Sequence, residues 1–346
     1  MRYPLQLHPP LNPLPSREGR SNAKKLTELC ELNGTTSGEL ATPRPTFSWI
    51  SWLNSPMHYE GAHIIRPPSE ADSIILQVTV GCSHNKCTFC GTYKEERFRI
   101  KDQAIVDSDL DFAAQYCGRQ SRVFLADGDV LALSQRRLVE LFTKIKHKLP
   151  WVNRVSLYGN ARAIRNKSVD QLLELKALGL HRVYMGLESG YDPILTAIDK
   201  GANAAAMIEA GQRVKTANLF LSVTALLGIA GAALSQEHAK ATGQVLSAME
   251  PNQTGILTLM LLENTPLYQL EQAGKFELPD QHGMLRELRT MVEHLDLKKG
   301  QLQSNHASNY LAINARMPRD KEPVLAAIDQ ALAGQTRLKP EYLRAL

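Results

Sequence analysis

Val78-Thr79-Val80-Gly81-Cys82-Ser83-His84-Asn85-Lys86-Cys87-Thr88-Phe89-Cys90-Gly91-Thr92-Tyr93 places three thiols within nine residues, directly after the start of an apolar run at Ile74. The run over residues 74–80 reads as a buried strand, so the thiols occupy the loop at its carboxyl end. Thiolates are the usual ligands of iron–sulfur clusters. Three of them hold three corners of a cubane and leave one iron open to a substrate or cofactor. Gly81 and Gly91 let the backbone approach such a group closely. Two other readings stay open at this point. One is a zinc site completed by His84, although that side chain would crowd Cys82 and Cys87. The other is inert buried thiols. Cys30 and Cys117 have no spaced partner, and Cys117 reads as a small buried residue at the end of a helix.

Downstream of the thiol loop, short apolar runs alternate with longer amphipathic stretches. The pattern predicts strands over 74–80, 122–126, 154–158, 182–186, 220–227 and 255–261, and helices over 134–148, 167–178, 203–217, 236–249 and 280–297. In 134–148, Leu138, Leu141, Phe142 and Ile145 fall at i, i+3, i+4 and i+7 and form one face. Asn203 is a candidate N-cap and Gly179 a candidate helix stop. Six strand–helix units imply a parallel sheet with right-handed crossovers. Six are too few for a closed eight-stranded barrel, which leaves an open barrel or a doubly wound sheet. Either one gathers functional residues on loops at the strands' carboxyl ends.

The 346 residues are 43% hydrophobic and 22% charged, enough to bury a sizeable core. The net charge is +5 and no block of five or six Lys or Arg occurs, so a nucleic-acid partner is not indicated. Five cysteines, three of them clustered, argue for a metal in a reducing compartment rather than a disulfide framework. The longest apolar run, 219–234, is interrupted by Ser222, Thr224, Gly228 and Gly231 and is short for a membrane span. No secretory signal is evident at the N-terminus, and the expectation is a cytoplasmic protein without a membrane partner. Residues 1–56 carry eight of the 18 prolines and no sustained periodicity. Their composition predicts a disordered extension, and Met57 is a candidate for the true start.

The cysteine loop and the strand ends together resemble the radical S-adenosylmethionine (SAM) superfamily, especially the branch with the oxygen-independent coproporphyrinogen oxidases and the tRNA methylthiotransferases. The family spacing is C-x3-C-x2-C, whereas this chain has C-x4-C-x2-C, one residue longer between Cys82 and Cys87; Phe89, the aromatic before the last cysteine, agrees. Ala126-Asp127-Gly128-Asp129 resembles a variant of the family's Gly-Gly-Glu motif, Val183–Gly190 resembles a segment typical of the branch, and Gly228-Ile229-Ala230-Gly231 loosely resembles Gly-x-Ile-x-Gly. Residues 260–267 resemble the sixth-strand ending.

Over residues 73–279 the resemblance implies an α/β fold, a partial (β/α)6 barrel of parallel strands spanning 57–279. A small helical C-terminal segment, 280–346, would cover it. It further implies a [4Fe–4S] cluster on Cys82, Cys87 and Cys90 that reductively cleaves SAM to a 5′-deoxyadenosyl radical. SAM would be met by Phe89, Asp127, Gly128, Asp129, Glu188, Ser189, Gly228, Ile229 and Gly231. Asn160 and Arg162 are further candidates, since a guanidinium forks well onto a carboxylate. The polar string Gln303–Tyr310 would line a lid, with His306 and Tyr310 as candidate hydrogen or proton donors to an unidentified substrate. His63, Arg66 and Glu70 are weaker candidates for lining the barrel. Such an enzyme, an oxidoreductase or transferase, would need a low-potential electron donor of flavodoxin or ferredoxin type. The alternative is a non-catalytic iron–sulfur carrier of electrons or clusters.

Overall fold

The computed structural model describes residues 57–61 and 64–345. The expectations for 1–56 and for His63 lie outside the described residues. In chain order the strands are β1 (Ile74–Gln77), β2 (Thr79–Val80), β3 (Arg99–Ile100), β4 (Arg122–Ala126), β5 (Arg154–Tyr158), β6 (Leu180–Glu188), β7 (Phe220–Leu227), β8 (Gln253–Thr258), β9 (Gly300–Ser304) and β10 (Ile313–Met317). The α-helices are α1 (Gln103–Tyr116), α2 (Gln135–Lys148), α3 (Ala161–Arg165), α4 (Val169–Ala177), α5 (Asp192–Ala197), α6 (Ala204–Thr216), α7 (Ser235–Met249), α8 (Pro266–Gln272), α9 (Gln281–Glu293) and α10 (Lys321–Leu332).

Eight strands form one sheet in the order β1-β4-β5-β6-β7-β8-β9-β10. Every pair is parallel except the last, where β10 runs antiparallel to β9. The order follows the chain without reversal. A doubly wound sheet reverses at a switch point, so this sheet is the partial-barrel type, and it is not closed. Side chains of one parity, such as Val123, Leu125, Val155, Leu157, Val183 and Val223, join the main core beneath the helices. On the other face Phe124, Tyr158 and Tyr184 meet edge-on or tilted, with ring centroids 5.1–6.0 Å apart. Glu70 is buried beside them and accepts hydrogen bonds from Ser73 Oγ at 2.5 Å and the Tyr184 hydroxyl at 2.7 Å, with Arg154 at 3.4 Å. Burial alone would raise its pKa, but these partners hold it below the usual carboxylate value.

Helix starts follow local chemistry. Ser134 accepts from Arg137 N, Asn203 from Ala206 N, and Ser168 with Gln171 forms a capping box at α4. Gly179, at φ +115°, follows the last turn of α4.

Three boundaries differ from the sequence reading. The first apolar run is not one strand: β1 ends at Gln77, and β2 leaves the main sheet to pair with β3. The sixth ends at Thr258, because Leu259 and Leu261 pack over the rim with Ile194, Ile198 and Ile229 instead of extending β8. The segment from 280 onward is not purely helical, since β9 and β10 extend the sheet. The β10 signal was present as alternation: Ile313, Ala315 and Met317 are buried between exposed Asn314 and Arg316.

Candidate active site

The cysteine loop is folded by its own polar side chains. Gly81 turns the chain at φ +76°, and Asn85 takes a left-handed φ of +44°. Asn85 Nδ2 donates to the carbonyls of Tyr93 at 2.6 Å and Glu96 at 3.2 Å. Lys94 Nζ donates back to the carbonyls of Cys87 at 2.9 Å and Asn85 at 3.3 Å. The five-residue step from Cys82 to Cys87 is thus taken up by one left-handed residue clamped from both sides. Asn is among the few side chains that adopt that conformation readily. His84 turns away from the thiols: its Nε2 donates to the Asp199 carbonyl at 2.6 Å, and its ring packs on Gly201.

The end of α5 and the segment leading from β8 into α8 fasten the loop. Thr88 N donates to the Ile198 carbonyl at 2.9 Å, and Leu267 N to the Thr88 carbonyl at 3.0 Å. Asn264 Nδ2 donates to the Gly91 carbonyl at 2.9 Å. Gly91 is favoured by space rather than by φ, because a Cβ there would lie 2.2 Å from Asn264 Oδ1 and 2.9 Å from Leu262 Cδ1, and both side chains would have to shift. Gly128 is similar: its Cβ would fall 3.1 Å from Cys82 Cβ and 2.9 Å from the Tyr93 ring.

Cys82, Cys87 and Cys90 are free thiols, each partly exposed. Burial pushes the Cys82 thiol up and the Cys87 thiol up to about 11, with Lys200 acting in the opposite direction on both. A metal that binds these groups as thiolates displaces their protons. Among the described residues no three His, Cys, Asp or Glu side chains converge as a single ion requires. A cubane makes a different demand, one thiolate at each of three separated corners. The donor set, and the glycine-lined approach beside Cys82, fit that group.

At the β4 end Asp127 and Asp129 are both buried, and both point toward the thiol loop. Asp127 accepts from the Tyr93 hydroxyl and lies 3.4 Å from Gln77 Nε2. Asp129 accepts from Ser83 Oγ, from Asn160 Nδ2 at 2.6 Å and from Asn160 N at 3.3 Å. Burial pushes each carboxyl up to about 6 despite these bonds. Asn160 also caps α3 through Ala163 N at 2.8 Å, so its side chain is fully committed to protein partners, while Arg162 is exposed.

At the β6 end a register shift between Gly186 and Glu188 and a φ of +64° re-aim Glu188. Its carboxylate pairs with Lys200 Nζ at 2.9 Å, both side chains being nearly buried. Burial acts to lower the Lys200 pKa, but Glu188 and the Cys87 thiol outweigh it and raise it. Ser189 is buried and bonded to His238 Nδ1 at 2.8 Å. At the β7 end Gly228 and Gly231 have φ of +83° and +68°, and Ile229 enters an apolar cluster that Phe89 of the cysteine loop also borders.

His306 and Tyr310 lie on the loop after β9, at the same rim. The Tyr310 hydroxyl donates to Glu341 at 2.5 Å and accepts from Arg344 at 2.6 Å, and that guanidinium sits 4.4 Å over its ring. His306 Nδ1 is 2.9 Å from Ser308 Oγ, and burial lowers its pKa. Glu70 lies before β1 at the base of the sheet, paired with Arg154 at the start of β5 and with the hydroxyl of Tyr184 from the middle of β6. The sequence reading assigned no role to Ser83 and Tyr93 within the thiol segment, and it missed Lys200 and His238, which belong to no spaced motif.

Residues 76–236 match the family model described as the radical SAM superfamily. No curated protein sequence matches the chain. Among solved structures, methylornithine synthase (PylB) is similar at 18% identity and TM-score 0.45, over 64% of this chain and 63% of that one. Coproporphyrinogen III oxidase (HemN) from Escherichia coli is 14% identical with TM-score 0.47, over 64% and 51%. The methyltransferase TsrM from Kitasatospora setae is 19% identical with TM-score 0.46, over 59% and 41%. The chain spans less than two thirds of the length of each, and likenesses this distant carry no conclusion about substrate. The match over residues 76–236 includes the three cysteines and the β4, β6 and β7 ends, so it is this segment of the chain that is similar to the radical SAM superfamily.

Proposed function

We propose that the chain is a radical SAM enzyme in which Cys82, Cys87 and Cys90 hold a [4Fe–4S] cluster. The observation that supports this most is the convergence of three free thiols with the Glu188–Lys200 pair and the Asp127–Asp129 turn on one rim. When bound, such a cluster supplies one electron to the sulfonium of SAM, whose bond to the 5′ carbon breaks to give methionine and a 5′-deoxyadenosyl radical. A flavodoxin- or ferredoxin-type donor would deliver that electron. Asp127 and the backbone of Gly128, which packs on Cys82, would receive the methionyl amino group. Glu188 would face the ribose or the amino group, its charge held by Lys200. Gly228, Ile229 and Gly231 would lie against adenine, on the apolar cluster bordered by Phe89. Asp129 and Asn160 would act through the loop, by pinning Ser83. Ser189 would act through His238. Lys200 would also keep a positive charge beside thiolates that the low-dielectric pocket otherwise disfavours.

Anaerobic reconstitution followed by dithionite and SAM tests this. Wild type should contain close to four iron atoms per chain, as a cubane requires, and release 5′-deoxyadenosine. Cys82→Ala should lose both. Purified protein carrying zinc, or an iron-loaded wild type that leaves SAM intact, overturns the proposal; the latter result would favour a carrier of electrons or clusters.

A further inference from the structure

Behind the β6 and β7 ends lies a fully buried polar network that the SAM chemistry does not use directly. Glu287 of α9 is 0% exposed. Its Oε1 accepts from Gly228 N at 2.7 Å and its Oε2 from Ser235 Oγ at 2.5 Å. His238 of α7 is equally buried. Its Nε2 lies 3.2 Å from the Leu226 carbonyl and 3.3 Å from Glu287 Oε1, and its Nδ1 lies 2.8 Å from Ser189 Oγ. One turn further along α7, Thr242 Oγ1 accepts from Gly190 N at 2.8 Å. The Gly190 turn packs directly on the α7 backbone, and the Gly228 turn packs on the tip of the Met284 side chain of α9. A Cβ on Gly228 would lie 2.4 Å from Met284 Cε, and one on Gly190 would lie 2.5 Å from the Ala241 carbonyl. A buried carboxylate is costly unless its bonds are made, which ties its burial to the position of the Gly228 amide.

We propose that Glu287 and His238 are positioning residues that fix the β7-end turn at Gly228 relative to the β6 end at Ser189, and so set the width of the slot for the adenosyl half of SAM. This rests on the reading of those two strand ends as the walls of the SAM site. Glu287 lies outside the segment that matches the family model, so the device is supplied by the region C-terminal to it. Gln at 287 keeps the size of the side chain but offers one acceptor oxygen to two donors.

The test is titration of cluster-loaded, full-length protein with SAM and with 5′-methylthioadenosine, which has the adenosyl half without the methionyl group. Glu287→Gln should bind both ligands about tenfold more weakly, the loss expected for a hydrogen bond to a charged group. Its iron content and its cluster EPR spectrum without SAM should match wild type. His238→Gln keeps a donor near Nε2 but loses the Nδ1 acceptor, and should weaken both ligands about threefold. The double variant should lose less than the product of the two, because the residues share one network. Wild-type affinity of Glu287→Gln for both ligands overturns the proposal. Should Glu287→Gln lose its cluster or its fold, Ser235→Ala carries the test: weakening of about threefold supports the proposal, and unchanged affinity overturns it. Failure of iron-loaded wild type to bind SAM at all overturns the reading of the site itself, and the positioning role with it.

Discussion

Near the thiols, Asp127, Asp129, Glu188 and Lys200 are buried charges whose partners come from other loops, 12 to 50 residues away in the chain. Around Tyr310, the polar groups pair within their own loop or with the end of the chain, and they satisfy the edge of β8: Ser308 Oγ accepts from Thr258 N, and Asn309 Nδ2 donates to the Ile256 carbonyl. One half of the rim therefore holds two carboxylates and the Glu188–Lys200 pair among the loops of the barrel, while the other half carries its ion pair, Arg344–Glu341, on the end of the chain and is otherwise closed by neutral bonds. The difference teaches where to look for chemistry. Charge buried at a strand end is costly unless partners hold it, which makes such positions the first candidates for chemistry.

The largest expected break in this contrast is Lys200→Ala. Removing one partner of a buried pair leaves Glu188 uncompensated, and the apoprotein should lose about 3–5 kcal/mol in urea unfolding. Cluster occupancy should fall as well. Arg344→Ala, which removes the bonds to Tyr310, Glu341 and the carbonyls of Ser308 and Leu259, should cost about 1–2 kcal/mol and leave iron content unchanged. An equal effect from both would erase the distinction.

A pH series on the apoprotein sharpens it. Asp127 and Asp129 have raised pKa values in the fold, about 6, so their contribution is fully present below the unfolded pKa near 4 and is lost as pH rises through 6. The loss should be on the order of 3 kcal/mol per carboxylate. Glu70, at the base, has a lowered pKa. Its contribution is present above the unfolded value near 4.5 and is lost as pH falls through the folded one. Unfolding followed from pH 3 to 8 should show both limbs, and Glu70→Gln should flatten only the acid one.

The smallest effect expected is that of Tyr310→Phe. The hydroxyl is already shared between Glu341 and Arg344, so the change should cost about 1 kcal/mol or less and leave 5′-deoxyadenosine release intact. A variant that cleaves SAM normally but forms no product from the substrate would support Tyr310 as a hydrogen donor.

Much of the barrel was legible because its strands are nearly all-apolar runs and its helices carry caps and stops such as Ser134, Asn203 and Gly179. The thiols were legible because their spacing is local. Lys200, His238 and Glu287 were not, since their meaning lies in contacts made across loops: Glu287 meets a backbone amide 59 residues earlier. The strand endings were misread where hydrophobicity outlasted the sheet, as at Leu259 and Leu261. β9 was missed because Gly300-Gln-Leu-Gln-Ser offers a single large apolar residue, Leu302, to the core.

The close fit of Asn264 over Gly91 has a consequence for descent. A methyl group at position 91 would displace the amide side chain at 264 and break its bond to the Gly91 carbonyl. Relatives with Ala or Ser at the position of Gly91 should therefore carry a smaller residue opposite it, and the two sites should change together even though 173 residues separate them along the chain.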